Sequence, residues 1–164
     1  MAVNVRRADL ACSSDCDSVV DLLNGYALDP MGGGEPLSDY AKAYVIEGLI
    51  QMGNMCRVYL AETGEGKAVG LANCFIAFST FRAKKLINIH DFFVLPEFRG
   101  KGVAKTLMQA IEAEAVADGF CKITLEVLSN NFAAKACYVS CGFSDYALLE
   151  DAGTALFWQK KLSF

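Results

Sequence analysis

The sequence predicts an α+β fold in one domain, with a mixed, mostly antiparallel central sheet flanked by helices. The chain has 164 residues and a hydrophobic content of 54%, which is enough for one proper core. Two segments of helical pattern precede three segments of strand pattern, and the short turn between the first two strands favours antiparallel pairing. Helical and strand patterns then alternate. Since no linker or repeat interrupts the pattern, a single domain over residues 1–164 is expected.

The N-terminal part contains one predicted strand and two predicted helices. The predicted bounds are residues 3–8 for the strand and residues 14–28 and 38–52 for the helices. Ser14 is expected to cap the first helix, with Asp17 three residues on. Glycines and a proline over residues 32–36 predict a loop between the two helices.

Three strands are predicted next. Residues 57–62 and 68–79 form a predicted hairpin around the turn at residues 63–66. Residues 85–95 form a further strand, which Pro96 ends because proline has no N–H for a sheet ladder. All three are expected to pair in antiparallel fashion.

The C-terminal half begins with the clearest helix in the sequence. Residues 102–118 carry an apolar stripe of helical period, and Gly119 is expected to end the helix. The elements predicted after it are a strand over 121–128, a helix over 131–140 that Gly142 stops, and a last strand over 155–162. The predicted order is therefore βααβββαβαβ.

Charge and hydropathy exclude several classes of partner. The net charge of −4 and the sequence pI near 5.0 argue against a nucleic-acid partner and suit a cationic small molecule. The longest uncharged run, residues 68–81, is shorter than the roughly 20 residues of a spanning helix, so no membrane partner is expected. The first residues are charged and show no signal-peptide pattern, which favours a cytoplasmic location.

The cysteine pattern favours a structural interpretation over a metal or redox site. Of seven cysteines, Cys12 and Cys16 have three residues between them, as do Cys137 and Cys141, and no Cys-x-x-Cys occurs. His90 is the single histidine. We therefore expect reduced, mostly buried cysteines and no metal.

A glycine-rich turn that opens a helix at residues 98–105 predicts a phosphate site. Gly100 and Gly102 allow close approach of the backbone, and the free N–H groups of a helix N-terminus attract anions. A Walker A loop does not fit, because Ala104 stands where that loop needs glycine before its lysine. A dinucleotide fingerprint does not fit either, because it needs a third glycine where Lys105 stands.

Two motifs resemble those of the GNAT family of N-acetyltransferases. The pattern Arg99-x-x-Gly102-x-Ala104 resembles the acetyl-CoA pyrophosphate loop of that family. The second motif, Asn131-x-x-Ala134-x-x-x-Tyr138-x-x-x-Gly142-Phe143, resembles the second GNAT signature and follows at the separation typical of the family. The resemblance covers the whole chain and implies the GNAT fold, acetyl-CoA as cofactor and N-acetyltransferase activity.

The resemblance also implies which residues contact the cofactor. Arg99 and Lys101 meet the CoA phosphates beside the loop amides, and Asn131 bonds the pantetheine arm while also capping its helix. Main-chain groups of the strand before the loop meet the pantetheine amides and the oxyanion, where the family's strand carries a bulge. The implied cofactor-binding residues are Phe92, Phe93, Val94, Arg99, Gly100, Lys101, Gly102, Val103, Ala104, Lys105 and Asn131.

Acetyl transfer to an amine also needs a base and a donor at sulfur, because the amine arrives protonated and a thiolate departs. The resemblance implies that Tyr138 is the proton source. The strand sequence Ile89-His90-Asp91-Phe92-Phe93-Val94 resembles Glu-Asp-Phe-Phe-Val of diamine (spermidine/spermine and thialysine) acetyltransferases, with His90 in place of the glutamate that acts as base through water. His90 is either that base or a structural group, and Asp91 either binds the cationic amine or orients His90. Glu126 is the reserve base.

His90 and Asp91 can serve one site only if a bulge redirects one of them, since neighbours on a regular strand face opposite sides.

The favoured reaction is direct attack by a small primary amine in a ternary complex, since no base is placed to activate Cys137 for a covalent route. The alternatives are a protein N-terminal or lysine acetyltransferase and a non-catalytic CoA-binding regulatory module. Acceptor specificity is expected in residues 25–36. The resemblance implies a homodimer through the C-terminal strand around Trp158.

Overall fold

The computed structural model describes residues 2–146, 153 and 155–162 of the chain. The strands are β1 (Val3–Arg7), β2 (Cys56–Thr63), β3 (Ala68–Ser79), β4 (Lys84–Val94) and β5 (Ile123–Leu125). The helices are α1 (Ser13–Leu28), α2 (Asp39–Gln51), α3 (Val103–Ala117) and α4 (Phe132–Ser140), with single 3₁₀ turns at Gly53–Met55 and Pro96–Phe98. The predicted α+β fold is confirmed, and so is the predicted order of elements through α4.

The sheet has the strand order β1-β2-β3-β4-β5. The first four strands pair in antiparallel fashion, and β5 runs parallel to β4. Pairing between β4 and β5 covers only Ile87 to Ile89, so β4 continues through residues 90–94 with no β5 partner. We call this unpaired stretch the open edge of β4.

Two hydrophobic clusters cover the two faces of the sheet. On the α3 face, the apolar stripe predicted for α3 is at most 1% exposed at Val103, Leu107 and Ile111. On the opposite α1/α2 face, Val19 and Leu49 pack with side chains of β2, β3 and β4. Full burial of each such side chain stabilises the fold by about 1.5–3 kcal/mol.

Gly70 of β3 allows α3 to lie close to the sheet. A Cβ atom there would come within 3.1 Å of Leu107 Cδ1 and 3.2 Å of Val103 Cγ1. A larger residue would therefore push α3 away from β3. This contact fixes the start of α3, and with it the glycine loop that precedes the helix.

The ends of the helices agree with the sequence in one case and differ in another. Gly119, with φ of 70°, ends α3 as predicted, and the N–H of Phe120 donates to the Ala115 carbonyl at 2.9 Å. The predicted Ser14 cap is wrong, because α1 begins at Ser13 with Cys12 at the N-cap position and no side-chain cap. The first turn is held instead by Asp15, which accepts hydrogen bonds from Arg6 and from the Asp9 N–H.

The sequence overestimates the C-terminal strands. The strand predicted over 121–128 is confirmed only for Ile123–Leu125, the three residues that pair with β4. The strand predicted over 155–162 is wrong, since these residues have no regular structure and Trp158 is 82% exposed. A three-residue β5 offers few main-chain groups for another strand to pair with.

The expectation of mostly buried cysteines is also wrong. All seven cysteines are free, but only Cys74 is buried, while Cys12 is exposed and the others are half-buried. Burial raises the pKa of the Cys137 thiol above its usual range, with Cys141 adding to the effect. In the part of the chain that the structure describes, none of the helices is both long and apolar enough to cross a bilayer.

Candidate active site

A bulge in β4 lies at His90. Ile89 pairs with Cys74 and Asp91 pairs with Asn73, so His90 is an extra residue that faces no partner on β3. Its ring lies 5.3 Å from the ring of Phe75, which packs on the α1/α2 face. Asp91 lies on the same face, because it pairs with Asn73 two residues before Phe75. The bulge that the sequence requires for a shared site is therefore present, and both side chains lie on one face.

Asp91 is held by a buried amide. Asn73 Nδ2 donates to Asp91 Oδ2 at 3.0 Å, and Asn73 is only 2% exposed. Its Oδ1 atom has no hydrogen-bond partner among the described residues. An unmet buried carbonyl costs about 1–3 kcal/mol, so this atom is a candidate ligand-binding group.

Tyr26 of α1 lies beside the same carboxylate. Its ring is 6.0 Å from the ring of Phe93. Burial raises the pKa of Tyr26, and the negative charges of Asp91 and Asp29 raise it further. The Tyr26 hydroxyl therefore stays protonated at neutral pH and is available as a donor next to Asp91.

The open edge of β4 presents main-chain groups away from β3. The Leu95 N–H donates to Val69 on β3, whereas the Val94 carbonyl accepts from Arg99 Nε at 2.9 Å on the other side. Since successive residues of a strand alternate in direction, the main-chain groups of Phe92 and Val94 face the open edge. Those of Phe93, which the sequence includes in the cofactor contacts, face β3 instead, where Phe93 pairs with Leu71.

Tyr138 of α4 approaches the open edge from the α3 face. Its ring packs edge-on against Phe92 and at a tilt against Phe143, each at 6.0 Å between ring centroids. Burial raises the pKa of Tyr138 to about 12, and Tyr26 and Cys137 contribute to the increase. Tyr138 and Asp91 therefore belong to opposite faces of the sheet, and the open edge of β4 lies between those faces.

The glycine loop has the backbone that the sequence predicts. Gly100 and Gly102 adopt φ of 72° and 86°, which other residues rarely tolerate. Gly102 is the N-cap of α3, no side chain caps that end, and no acidic residue occurs in the first turn. The N–H groups there are consequently available to an anion. Val103 is buried in the core, so only its main chain is available to a ligand.

Lysines surround this loop. Lys101 Nζ lies 5.4 Å from the centroid of the Phe98 ring, and Lys67 Nζ lies at the same distance from it. Lys105 lines a cleft of about 480 Å³ between α3 and α4, together with Gln109 and Phe143. Ala104, half-buried at the start of α3, is small enough to leave this end of the helix unobstructed.

Arg99 makes contacts that the sequence does not predict. Its Nη2 atom donates to Asp29 Oδ2 at 2.7 Å, and its Nε atom donates to the Val94 carbonyl. Burial raises the pKa of Asp29, but hydrogen bonds from the Met31 N–H and Arg99 outweigh this and lower it overall. Arg99 thus ties the end of β4 to the loop after α1, and its contact with a phosphate stays a prediction.

Asn131 and Glu126 form hydrogen bonds within their own elements or with β4. Asn131 is the N-cap of α4, where its side chain accepts from the Ala134 N–H at 3.1 Å, as the sequence indicates for its structural role. Glu126 is exposed just after β5 and accepts from Asn88 Nδ2 at 3.3 Å. Within the described residues Glu126 has no hydrogen bond with His90 or Asp91, so the structure does not join it to that pair.

Sequence analysis missed Asn73, Tyr26 and Asp29. Asn73 had a signal, because it is the only polar residue in the apolar run from Ala68 to Ala77, and a buried amide needs partners. Tyr26 and Asp29 lie in the segment 25–36 where acceptor specificity is expected, but no motif singled them out, because their roles depend on how α1 packs against β4.

The order of the elements and the glycine loop before α3 agree with the acetyltransferase fold that the sequence motifs imply. A model of the acetyltransferase (GNAT) family matches residues 20–143. The chain therefore belongs to the GNAT acetyltransferase family, which places it among the N-acetyltransferases.

Individual proteins agree with this assignment. The chain is 39% identical over 77 residues to an uncharacterized N-acetyltransferase of Archaeoglobus fulgidus; the match covers 46% of the chain and spans about half (52%) of that relative. The crystal structure of a probable acetyltransferase superposes with a TM-score of 0.79 at 19% identity, over 96% of this chain and 99% of the other. AAC(6')-Iy in complex with the bisubstrate analog CoA-S-monomethyl-acetylneamine superposes with a TM-score of 0.74 at 18% identity, over 99% and 100% of the two chains. Both structures share the fold.

Proposed function

We propose that the protein transfers an acetyl group from acetyl-CoA to a primary amine of a small cationic molecule, by direct attack in a ternary complex. The observation that carries the proposal is the open edge of β4, with Asp91 on the α1/α2 face and Tyr138 on the α3 face. An amine and a thioester that approach from opposite faces would meet at such an edge. In the open edge, Phe92 and Val94 also offer main-chain groups as oxyanion and amide partners.

The residues present fit acetyl-CoA. The N–H groups after Gly100 and Gly102 form an anion cradle with no opposing acidic side chain in the first turn of α3. Lys101, Lys105 and Lys67 supply cations around it, in agreement with a phosphorylated ligand. When bound, acetyl-CoA supplies a thioester whose carbonyl carbon accepts an amine nitrogen as the carbon–sulfur bond breaks. The complex of AAC(6')-Iy shows that this fold accommodates a CoA-containing ligand in another protein.

The proton balance assigns roles to the side chains. A lysine-like amine has a pKa of about 10.4 and arrives as ammonium, so it must lose a proton before attack. In this proposal Asp91 takes that proton directly, or His90 takes it through water, since both lie on the α1/α2 face. The nitrogen loses a second proton as the amide forms, and the departing thiolate gains one. The Tyr138 hydroxyl donates a hydrogen bond to that sulfur.

A small acceptor is favoured over a protein because side-chain contacts restrict the space on the α1/α2 face beside the end of β4. Arg99 ties the loop after α1 across the end of β4 through Asp29, and Tyr26 packs on Phe93 beneath it. An acetyltransferase of protein N-termini or lysines would need an open peptide groove there. His90 in place of glutamate leaves a diamine acceptor as one member of the proposed class of small amines.

The test measures thiol release from acetyl-CoA with spermidine, 1,3-diaminopropane, thialysine, alaninamide and lysine-containing peptides. The wild type is compared with Asp91→Asn and Tyr138→Phe, and with Tyr146→Phe, an exposed tyrosine, as the matched control. The proposal is supported if a small amine is acetylated and the rate falls in Asp91→Asn and Tyr138→Phe but not in Tyr146→Phe. Turnover of peptides alone overturns the small acceptor. Acetyl-CoA binding with no turnover favours the regulatory module, and absence of binding overturns the cofactor.

A further inference from the structure

We propose that Asn73 and Asp91 together form the subsite that binds the primary ammonium group of the acceptor. This inference rests on the acetyl transfer proposed above and names the groups that recognise its amine. The two side chains come from neighbouring strands, β3 and β4, and lie opposite each other in register at the bulge. Among the described residues neither side chain has a hydrogen bond with the glycine loop, so the subsite is distinct from the phosphate contacts.

The direction of the Asn73 amide follows from chemistry. A carboxylate accepts hydrogen bonds only, so the atom that lies 3.0 Å from Asp91 Oδ2 is the Nδ2 donor. Oδ1 is then the atom that lacks a partner among the described residues, and the side chain that carries it is only 2% exposed. A buried amide oxygen beside a carboxylate is a pair of acceptors that attracts a cationic donor.

A primary ammonium group matches this pair. It carries three N–H donors, of which Asp91 accepts one and Asn73 Oδ1 accepts another. The apolar residues Leu71 and Phe75 flank Asn73 on the same face of β3, where Tyr26, Cys56 and His90 also lie near Asp91. An anionic acceptor would be repelled by Asp91, and an apolar acceptor would remove water from Asp91 without replacing its hydrogen bonds. Both would leave Asn73 Oδ1 without a donor. The subsite therefore selects amines that present at least two N–H donors.

The same contact also explains why β3 carries a polar residue in its apolar run. Asn73 fixes the orientation of Asp91 through Nδ2 and binds the acceptor through Oδ1. These two roles have different consequences for an ammonium ion without N–H donors. Such an ion senses the charge and position of Asp91, but it cannot donate to Oδ1.

The experiment uses Asn73→Leu, which keeps the number and branching of the side-chain heavy atoms and removes both polar atoms, with Asn73→Ala as a second variant. The control is Cys74→Ala, the next residue of β3, which is buried on the opposite face. The amine of the panel with the highest kcat/KM is the substrate, and its N-trimethyl analogue is a competitive inhibitor. Thermal unfolding establishes that each variant is folded.

For the Asn73 variants we expect the KM for the primary amine to rise about 10- to 100-fold, the loss that follows removal of a hydrogen bond to a charged group. The KM for acetyl-CoA stays within about twofold, and the inhibition constant of the trimethyl analogue, which responds only to the altered position of Asp91, rises by a clearly smaller factor than the KM for the primary amine. Equal weakening of both amines would overturn the proposal and reduce Asn73 to a positioning residue for Asp91. An unchanged KM for the primary amine would overturn it as well. Absence of turnover in the wild type would instead overturn the proposed function, and this subsite with it.

Discussion

Replacing Tyr138 with phenylalanine tests how the departing sulfur is stabilised. The substitution removes one hydroxyl and retains the packing of the ring on Phe92 and Phe143. Burial raises the pKa of Tyr138 to about 12, whereas a thiol has a pKa of about 8.5. The two pKa values differ by about 3.5, so complete proton transfer from the tyrosine to the thiolate is unfavourable by about 5 kcal/mol. The hydroxyl is expected to act as a hydrogen-bond donor that keeps its proton.

This role sets the size of the effect. Loss of one preorganised donor to developing negative charge lowers kcat by about 10²- to 10³-fold. Because Tyr138 stays protonated below about pH 10, the wild type and Tyr138→Phe are expected to have parallel pH profiles of kcat, separated by a constant factor. The KM for the amine is expected to change little, since Tyr138 lies on the face opposite Asp91.

The assay is steady-state thiol release with the fastest amine of the panel, from about pH 6 to pH 10. Tyr146→Phe serves as the control and is expected to behave as the wild type. An alkaline decline with a midpoint below about pH 10 in the wild type that disappears in Tyr138→Phe would show that Tyr138 titrates, and would refute the reasoning. A decrease in kcat of less than about threefold would refute it too.

Two further predictions concern stability, both measured by urea unfolding. Asp15 accepts two hydrogen bonds from Arg6, at 2.6 and 2.8 Å. These bonds lower the pKa of Asp15, against the opposing effect of burial. The contribution of ionised Asp15 to the free energy of unfolding is therefore fully present above the ordinary pKa near 3.9 and is lost as the pH falls below that value. Asp15→Asn should therefore cost about 2–3 kcal/mol at neutral pH and progressively less in acid, with exposed Asp17→Asn as the control; a loss independent of pH would contradict this. Gly70→Ala should cost about 1–2 kcal/mol, because the new Cβ would lie 3.1 Å from Leu107 Cδ1. Gly48→Ala, whose Cβ would have no atom near it, should stabilise α2 by about 0.5–1 kcal/mol. Destabilisation by both substitutions would contradict this reasoning.

The periodic elements of this fold were predictable from the sequence because their signals are local. The stripe of α3 and its Gly119 end depend on residues within one helix, and the hairpin of β2 and β3 depends on a four-residue turn. The last strand was predicted wrongly because its apolar alternation shows only that residues 155–162 suit a strand. Whether they pair depends on the partner, and β5 is only three residues long.

The candidate site was predictable where a motif fixes it and unpredictable where tertiary packing does. The loop glycines and the capping role of Asn131 follow from local backbone chemistry and agree with the structure. The contact of Arg99 with Asp29 joins residues 70 positions apart, and no local pattern reports it. The position of the bulge was likewise hidden, because register depends on both strands. The sequence required a bulge if His90 and Asp91 share a site, and the register places it at His90.

The bulge has a consequence for how this enzyme can change through evolution. His90 is an extra residue outside the regular alternation, on the α1/α2 face with Asp91, and Ile89 and Asp91 keep their own partners on β3 whether or not a residue stands between them. A replacement at position 90 therefore alters neither the order of apolar residues in the core nor the ladder of main-chain hydrogen bonds. In the proposed reaction, substitutions at position 90 can therefore change acceptor preference with little effect on the packing of the core.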